Sequence, residues 1–307
     1  MKRQVSLKEI SRKCGFSMPL VSSVLSGKTT ANRCSRETYE KIITCAREMG
    51  YTPNLLAKAI ATGKSPIILF SLYENERNWN LPDFYLNDLI LGGSRRFAAE
   101  GLYVLYMPYR SAEEQFEQIR KAVKTAMVSG VVTNLLDSRA EKPLYDYLAE
   151  IQFPAVFLGF PKSDDVVSVG VDNTPLQNFI ADYARRKGFA DAVQVSELPG
   201  NRFEIHPDNL PLEPELTEDE TILFFAPGFA SYTALKRRFS GLENRLVLLE
   251  DTRFYPGELH SILFPSAQPQ VIEKSCEILS AWCRHGITPT EKRHIITRST
   301  EEIIIHD

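Results

Sequence analysis

The sequence predicts two fold classes in one chain, an all-α helix-turn-helix headpiece followed by an α/β two-lobed domain with parallel sheets. The first 50 residues carry apolar positions at helical spacing, set between capping residues and glycines. Beyond residue 65, apolar runs of strand length alternate with helical stretches, which is typical of α/β folds. About 240 residues is long for one such unit, so two lobes are expected.

The first helix begins at a capping box. In the segment from Ser6 to Glu9, the hydroxyl of the first residue and the carboxylate of the last can each bind a backbone amide of the first turn. Ile10 and Cys14 then fall on one face. The next residue is a glycine, which adopts the left-handed conformation that ends a helix more easily than other residues do.

The outer face of the second helix, which carries both polar and apolar residues, is predicted to contact DNA. It begins at Ser17, a favourable N-cap, and a proline is tolerated in its first turn. Val21 and Val24 give it a buried stripe. The residues expected to lie on the outer face and enter the major groove are Ser17, Met18, Pro19, Ser22 and Ser23.

The third helix begins at Ser35, carries apolar residues at helical spacing as far as Met49, and is stopped by Gly50. The three apolar stripes together make one small core. A generic three-helix domain would show the same stripes, so this pattern leaves both alternatives open.

Charge favours a DNA-binding headpiece over a generic three-helix domain. Residues 1–64 contain twelve Lys and Arg against four Glu, a net charge of +8, whereas the whole chain carries −3 and the other 243 residues therefore carry −11. A basic N-terminal segment followed by an acidic remainder is expected when only the N-terminal segment contacts phosphates. A solvated basic surface would explain the charge but not its confinement to one end.

The end of this segment carries a specific motif, Gly50-Tyr51-Thr52-Pro53-Asn54-Leu55-Leu56-Ala57. Together with Val5–Ile10 and Val24–Gly27, it resembles the headpiece of the lactose-repressor (LacI/GalR) family of bacterial transcription regulators. The resemblance implies a homodimeric repressor whose two headpieces bind the half-sites of a near-palindromic double-stranded DNA operator.

The resemblance also implies a hinge helix that lies in the minor groove and inserts an apolar side chain between base pairs, where this chain has Ile60. Asn54 would cap that helix. The residues expected at the hinge and minor groove are Asn54, Ala57, Lys58 and Ile60. The residues expected at the DNA backbone are Leu7, Lys28, Arg33 and Tyr51.

The recognition helix departs from the family pattern. Relatives commonly carry Thr-Val-Ser-Arg where this chain has Leu20-Val21-Ser22-Ser23, and the lost arginine could pair with guanine. We therefore expect apolar contacts to thymine methyl groups and relatively more specificity from the hinge and from DNA shape.

The predicted domains are a headpiece at 1–50, a hinge helix and linker at 51–65, and a two-lobed effector and dimerisation domain at 66–307. The N-lobe would comprise about 66–160 with 262–288, and the C-lobe about 161–261 with 289–307. This region resembles the periplasmic-binding-protein-like domain of the same family. For Asp172 and Arg298, hydrogen bonds at turns and strand ends are favoured over ligand contact.

The effector is hard to infer. Sugar-binding relatives often have an aspartate where this chain has Gly159. Tyr73 and Phe84 could stack on a sugar, but lobe core or dimer interface explains them better; Arg202 could bind hydroxyl or anionic groups, or be a plain loop arginine. A regulator without an effector also fits.

No enzyme or metal site is expected. The five Cys and five His lack metal-ligand spacing, and nucleophile-elbow and phosphate-loop motifs are missing, so we expect no cofactor. The start has no apolar stretch and no window reaches membrane-span length, which favours a cytoplasmic, nucleoid-associated protein without membrane contact over a secreted binding protein. The main alternative is a cytoplasmic ligand-binding sensor with degenerate or effector-independent DNA binding.

Overall fold

The computed structural model describes residues 5–26, 34–52, 65–73, 84–134, 142–195, 218–239, 241–242, 244–254 and 256–306. The chain divides into two compact units, Met1–Ser65 and Pro66–Asp307. Each unit has hydrophobic core residues of its own.

The described part of the first unit contains the three predicted helices, α1 (Leu7–Cys14), α2 (Met18–Leu25) and α3 (Arg36–Glu48). The capping box is present: the Ser6 hydroxyl accepts the Glu9 amide at 3.3 Å, and the Ser6 amide donates to the Glu9 carboxylate at 2.8 Å. Gly15 has φ +77°, so it ends α1 in the left-handed conformation. The core that joins the three helices is formed by the fully or almost fully buried residues Ile10, Val21, Val24 and Ile42.

The second unit alternates strands with helices. Its described strands are β1 (Ile67–Tyr73), β2 (Tyr103–Tyr109), β3 (Gly130–Asn134), β4 (Ala155–Leu158), β5 (Val167–Asp172), β6 (Asp191–Gln194), β7 (Ile222–Pro227), β8 (Leu246–Asp251), β9 (Ser261–Phe264), β10 (Arg293–Thr297) and β11 (Ile304–His306). Helix α4 (Phe84–Asn87) continues through a π-helical turn (Asp88–Gly92) into α5 (Gly93–Ala99). The later described helices are α6 (Ala112–Lys124), α7 (Lys142–Glu150), α8 (Thr174–Arg186), α9 (Gly228–Arg238) and α10 (Gln268–His285).

These strands form two sheets. The first sheet has six parallel strands in the order β10-β5-β4-β3-β1-β2. The second has five strands in the order β11-β9-β8-β7-β6, all parallel except β11, which is antiparallel to β9. Strands β3, β4 and β7 are buried along their whole length, as expected when helices cover both faces of a parallel sheet.

Each sheet and its helices form a lobe. In the first lobe, α5 and α10 pack on one face of the sheet through residues such as Phe97 and Leu279, and α6 and α7 pack on the other through residues such as Ile119. In the second lobe, α9 packs on one face through Leu235 and α8 on the opposite face through Ile180.

The sheets divide the strands differently from the lobe boundaries expected from sequence. The predicted C-lobe included 161–261 and 289–307, but β5 and β10 pair in the first sheet. The predicted N-lobe included 262–288, but β9 pairs with β8 in the second sheet. The chain thus passes between lobes after β5, β9 and β10. An apolar run identifies a buried strand but does not tell which neighbour it pairs with, which explains the displaced boundaries.

Candidate nucleic-acid interface and lobe junction

The outer face of α2 carries the residues predicted to enter the major groove. Ser17, Pro19 and Met18 are exposed, with 51% of the Met18 surface accessible, and Ser22 and Ser23 are half-buried. The opposite face is fixed in the core by Val21 and Val24. The five residues are therefore neighbours on one short helix of the headpiece, in an arrangement that can contact base edges.

The turn before α2 is held in place by contacts to both neighbouring helices. The Ser11 hydroxyl on α1 donates to the Phe16 carbonyl at 2.6 Å, and the Lys41 ammonium on α3 lies 5.5 Å from the centre of the Phe16 ring. Ser17 is at the N-cap position, as predicted, but its hydroxyl makes no capping hydrogen bond. The turn is thus positioned by its neighbours and not by a side-chain cap at Ser17.

Six of the twelve headpiece cations lie in the described residues, and all six are exposed: Lys8, Arg12, Lys13, Arg36, Lys41 and Arg47. Two of them form surface ion pairs, Lys13 with Glu48 at 3.6 Å and Arg36 with Glu40 at 2.9 Å. Such exposed pairs contribute little to stability, so the charge of this surface remains available to a polyanion.

Two of the predicted DNA-backbone residues have structural contacts of their own. Leu7 is half-buried and packs against the headpiece core. Tyr51 also packs on this core, its backbone amide donates to the Ala46 carbonyl at 2.9 Å, and burial raises the pKa of its hydroxyl. Tyr51 thereby fixes the path of the chain where it leaves α3.

Several predicted site residues lie outside the described residues, namely Lys28, Arg33, Asn54, Ala57, Lys58, Ile60 and Arg202. The side chain of Phe84 is also outside them. The backbone-contact, hinge and effector assignments for these residues remain predictions.

Tyr73, the other predicted effector residue, lies at the carboxyl end of β1 and is half-buried. Its ring centre is 5.9 Å from that of Tyr109, and its backbone amide donates to the Asn134 side chain at 2.7 Å. The Tyr109 hydroxyl, in turn, donates to the Asn134 carbonyl at 2.8 Å. These contacts belong to the first lobe, in line with the core alternative, and they place Tyr73 at the sheet edge where ligands bind in open α/β folds.

Arg298 joins the three segments in which the chain passes between the lobes. It follows β10, its backbone amide donates to the Asp172 carbonyl at 2.9 Å, and its guanidinium donates to the Asn173 side chain at 2.6 Å and to the Pro265 carbonyl at 3.2 Å. The guanidinium also lies 4.8 Å from the Phe264 ring centre. Desolvation lowers the pKa of Arg298 to about 10.

The contacts of Asp172 and Arg298 agree with the hydrogen-bonding role favoured for them from sequence. The Asp172 carboxylate accepts from the amide and hydroxyl of Thr174 at 2.9 and 2.6 Å, at the start of α8. Both side chains thus stabilise passages between the lobes.

A second arginine, which no sequence motif marks, connects the two lobes directly. We use the term lobe junction for Asp88, Asp251, Arg253 and Ser266. Arg253 follows β8 of the second lobe, and its guanidinium donates to Asp88 in the π-helical turn of the first lobe at 2.7 and 2.8 Å. The same guanidinium donates to Asp251 at 2.7 and 2.8 Å.

Glu250 occupies the neighbouring position at the end of β8. Its carboxylate accepts the Phe229 amide at 3.1 Å, in the first turn of α9. An acidic side chain at the N-terminus of a helix is favourable because the first amides have no partner within the helix. Two consecutive acids at this strand end therefore have protein partners, one at a helix terminus and one at the lobe junction.

Among the described residues, no group of three or more His, Cys, Asp or Glu is arranged to hold a metal ion. None of the helices in the described ranges combines the length and the hydropathy of a bilayer span.

Comparison with known proteins places this chain beside transcription regulators. It is 26% identical over 185 residues to the HTH-type transcriptional regulator MalR of Streptococcus pneumoniae, a match that covers 60% of this chain and 54% of that protein. The HTH-type transcriptional regulator CelR of Thermobifida fusca is 26% identical over 175 residues, covering 56% of this chain and 49% of the relative. The chain thus spans about half the length of the curated relatives that it matches. No family model matches it.

Solved structures share its fold. The lac repressor dimer bound to operator and the anti-inducer ONPF has a TM-score of 0.71 at 14% identity, over 98% of each chain. The complex of the transcriptional regulator CelR with cellobiose has a TM-score of 0.58 at 16% identity, over 98% of this chain and 99% of that one. These similarities confirm the predicted combination of a helical headpiece with a two-lobed α/β domain.

Proposed function

We propose that this chain, which belongs to the LacI/GalR family of transcription regulators, acts as a sequence-specific repressor of transcription. It would bind a near-palindromic double-stranded DNA operator as a homodimer, since the two-fold symmetry of a dimer matches two half-sites. The proteins that it resembles are transcription regulators and not enzymes. We extend that property to this chain as part of the proposal.

The observation that supports this proposal best is the exposed face of α2. Five residues without any acidic group among them, with Met18 the most prominent apolar one, lie on a helix whose other side is locked into the headpiece core. The surrounding unit carries a net charge of +8 in residues 1–64. This combination suits a helix that contacts base edges while neighbouring cations contact phosphates.

The remaining DNA contacts are proposed from the resemblance. Lys28 and Arg33 would contact phosphates, together with Leu7 and Tyr51 at their backbone positions. The hinge helix would insert Ile60 between base pairs of the minor groove.

Control by a small, sugar-like effector is a further part of the proposal. A relative of the same fold was solved as a complex with cellobiose. In this chain the ligand would enter between the lobes at the carboxyl ends of the strands, near Tyr73. We place the protein in the cytoplasm, on the nucleoid, because its proposed target is chromosomal DNA.

Genome-wide footprinting of the full chain tests the proposal. The wild-type protein should protect a small set of sites that share a palindromic sequence. Met18→Glu should lose these footprints, because it places a negative charge where α2 meets DNA. Ile287→Glu is the matched control: Ile287 is 60% exposed, against 51% for Met18, but lies in the second unit, so its footprints should remain.

Weak binding of the protein to DNA that does not depend on base sequence and that disappears with added salt would overturn the proposal. It would instead support the alternative of a ligand-binding sensor with degenerate DNA recognition. The specific observation behind that alternative is Ser23, which stands where relatives commonly have a base-reading arginine.

A further inference from the structure

We propose that Arg253 is a built-in clasp that holds the two lobes of the second unit together. The contact between the lobes is a property of the second unit alone. Its consequence for effector binding rests on the function proposed above.

The clasp has the geometry of a strong ion pair. Two nitrogens of the Arg253 guanidinium bind the two oxygens of Asp88 at 2.7 and 2.8 Å, the parallel arrangement that arginine and carboxylate favour. Two further donors bind the Asp251 carboxylate at 2.7 and 2.8 Å, and the Arg253 backbone amide adds a third bond to it at 2.9 Å. One planar group thus satisfies both carboxylates at once, which a lysine could not do.

The two carboxylates are poorly exposed without being fully buried. The Asp88 side chain is 16% exposed and that of Asp251 is 9% exposed, against 45% for Arg253. Hydrogen bonds to Asp251 and then to Asp88 raise the pKa of Arg253 above its ordinary value. Without the guanidinium, two partly desolvated negative charges would face each other across the lobe junction. Separation of the lobes would hydrate both, so loss of Arg253 should favour opening.

The clasp is also attached to one of the passages between the lobes. The Ser266 hydroxyl, between β9 and α10, donates to Asp88 at 3.0 Å and accepts the Gln268 amide at 3.2 Å. Asp88 is therefore held by both the facing lobe and the connecting segment. Arg298 joins the neighbouring passages through its bonds to Asn173 and Pro265.

This arrangement predicts the direction of effector action. A ligand that binds at the junction in place of the bonds between Arg253 and Asp88 would shift the equilibrium toward the unclasped arrangement, because a ligand favours the arrangement that it binds better.

The test compares the full chain with Arg253→Gln, Asp88→Asn and the double variant, in the absence of DNA. Small-angle X-ray scattering should give a larger radius of gyration for Arg253→Gln than for the wild type. In urea, Arg253→Gln should raise the unfolding equilibrium constant about tenfold, because it leaves two poorly exposed carboxylates without their cation. The double variant should raise it less than the product of the two single effects, because Asp88→Asn removes the repulsion that Arg253→Gln exposes.

Arg284→Gln is the matched control. Arg284 pairs with Glu100 at 3.5 Å, and both residues belong to the first lobe. This variant should leave the radius of gyration unchanged and shift the unfolding constant less than threefold. If Arg253→Gln does not fold, Asp88→Asn alone should still enlarge the radius of gyration.

Equal radii for all variants, or strictly multiplicative effects of Arg253→Gln and Asp88→Asn, would overturn the clasp. Operator affinity is measured separately on the same proteins. Absence of sequence-specific DNA binding by the wild type would refute the proposed function and leave the scattering result unaffected. An unchanged radius in variants that still bind an operator would refute only the clasp.

Discussion

Gly93→Ala tests how closely the helix that carries the lobe junction approaches the first sheet. Gly93 follows the π-helical turn that contains Asp88, and it is buried. A Cβ atom at this position would lie 2.6 Å from two carbons of the Phe70 ring and 3.6 Å from Ile272. The first distance is far inside normal contact, so either the ring or the helix must move.

The expected cost follows from the packing of that ring. Phe70 is fully buried and packs edge-to-face against Phe97, with ring centres 5.8 Å apart, so it has little room to turn away. Insertion of a methyl group into a packed core costs about 1–3 kcal/mol. Replacement of a helical glycine by alanine stabilises the helix by about 1 kcal/mol. The net loss in the free energy of unfolding is therefore about 0–2 kcal/mol.

Gly92→Ala isolates the packing cost. Gly92 has the same helical backbone conformation, with φ −62° against −59° at Gly93, but a Cβ atom added there would meet no other atom within 4 Å. Both variants share the gain in helix propensity, so their difference is the packing cost of about 1–3 kcal/mol. For a unit of this size, each kcal/mol corresponds to about 2–4 °C in Tm.

Thermal and urea unfolding of the two variants give the comparison. Gly92→Ala should be at least as stable as the wild type, and Gly93→Ala should be less stable than Gly92→Ala. Because α5 continues the segment that positions Asp88, Gly93→Ala should also enlarge the radius of gyration. Equal stability of the two alanine variants would refute the close approach of this helix to the sheet.

Three further predictions concern the headpiece and are checked on the full chain. Ser6→Ala should destabilise the headpiece by about 1 kcal/mol, because it removes the cap of α1. Ser17→Ala should cost less, because the Ser17 hydroxyl makes no capping hydrogen bond. Hydrogen exchange of the α1 and α2 amides measures both effects. Ile42→Ala should cost about 2–5 kcal/mol because the side chain is fully buried, and a headpiece that exchanges as slowly as the wild type would contradict this. Ser23→Arg should make guanine the preferred base at the contacted position, by about 1–3 kcal/mol of binding free energy, in a selection from random duplexes. An unaltered consensus sequence would count against major-groove contact by α2.

The parts of this fold that follow from local sequence could be predicted. The capping box at Ser6, the left-handed glycine after α1 and the apolar stripe of α3 depend on residues a few positions apart. The apolar runs of strand length beyond residue 65, which include β1, β3, β4, β7 and β8, are predictable for the same reason. Their position in a sheet depends on pairing over long distances, so the expected lobe boundaries were displaced at β5, β9 and β10.

The lobe junction could not be predicted in the same way. Arg253 and Asp88 are 165 positions apart, and neither belongs to a motif. Arg298 contacts Asn173 across 125 positions. A strand that ends in acidic residues, such as Glu250-Asp251, followed closely by an arginine, is the local signal that could have drawn attention to this place.

The affinity of the full chain for its best duplex, relative to that for a scrambled duplex of equal length and composition, shows whether the protein reads DNA sequence. Both affinities should be measured by fluorescence anisotropy over a range of salt concentrations, because phosphate contacts weaken as salt rises. A headpiece that reads bases through α2 predicts binding to the selected palindrome at least about a thousandfold tighter than to the scrambled duplex. Equal affinities for the two duplexes at every salt concentration would show that α2 does not read bases.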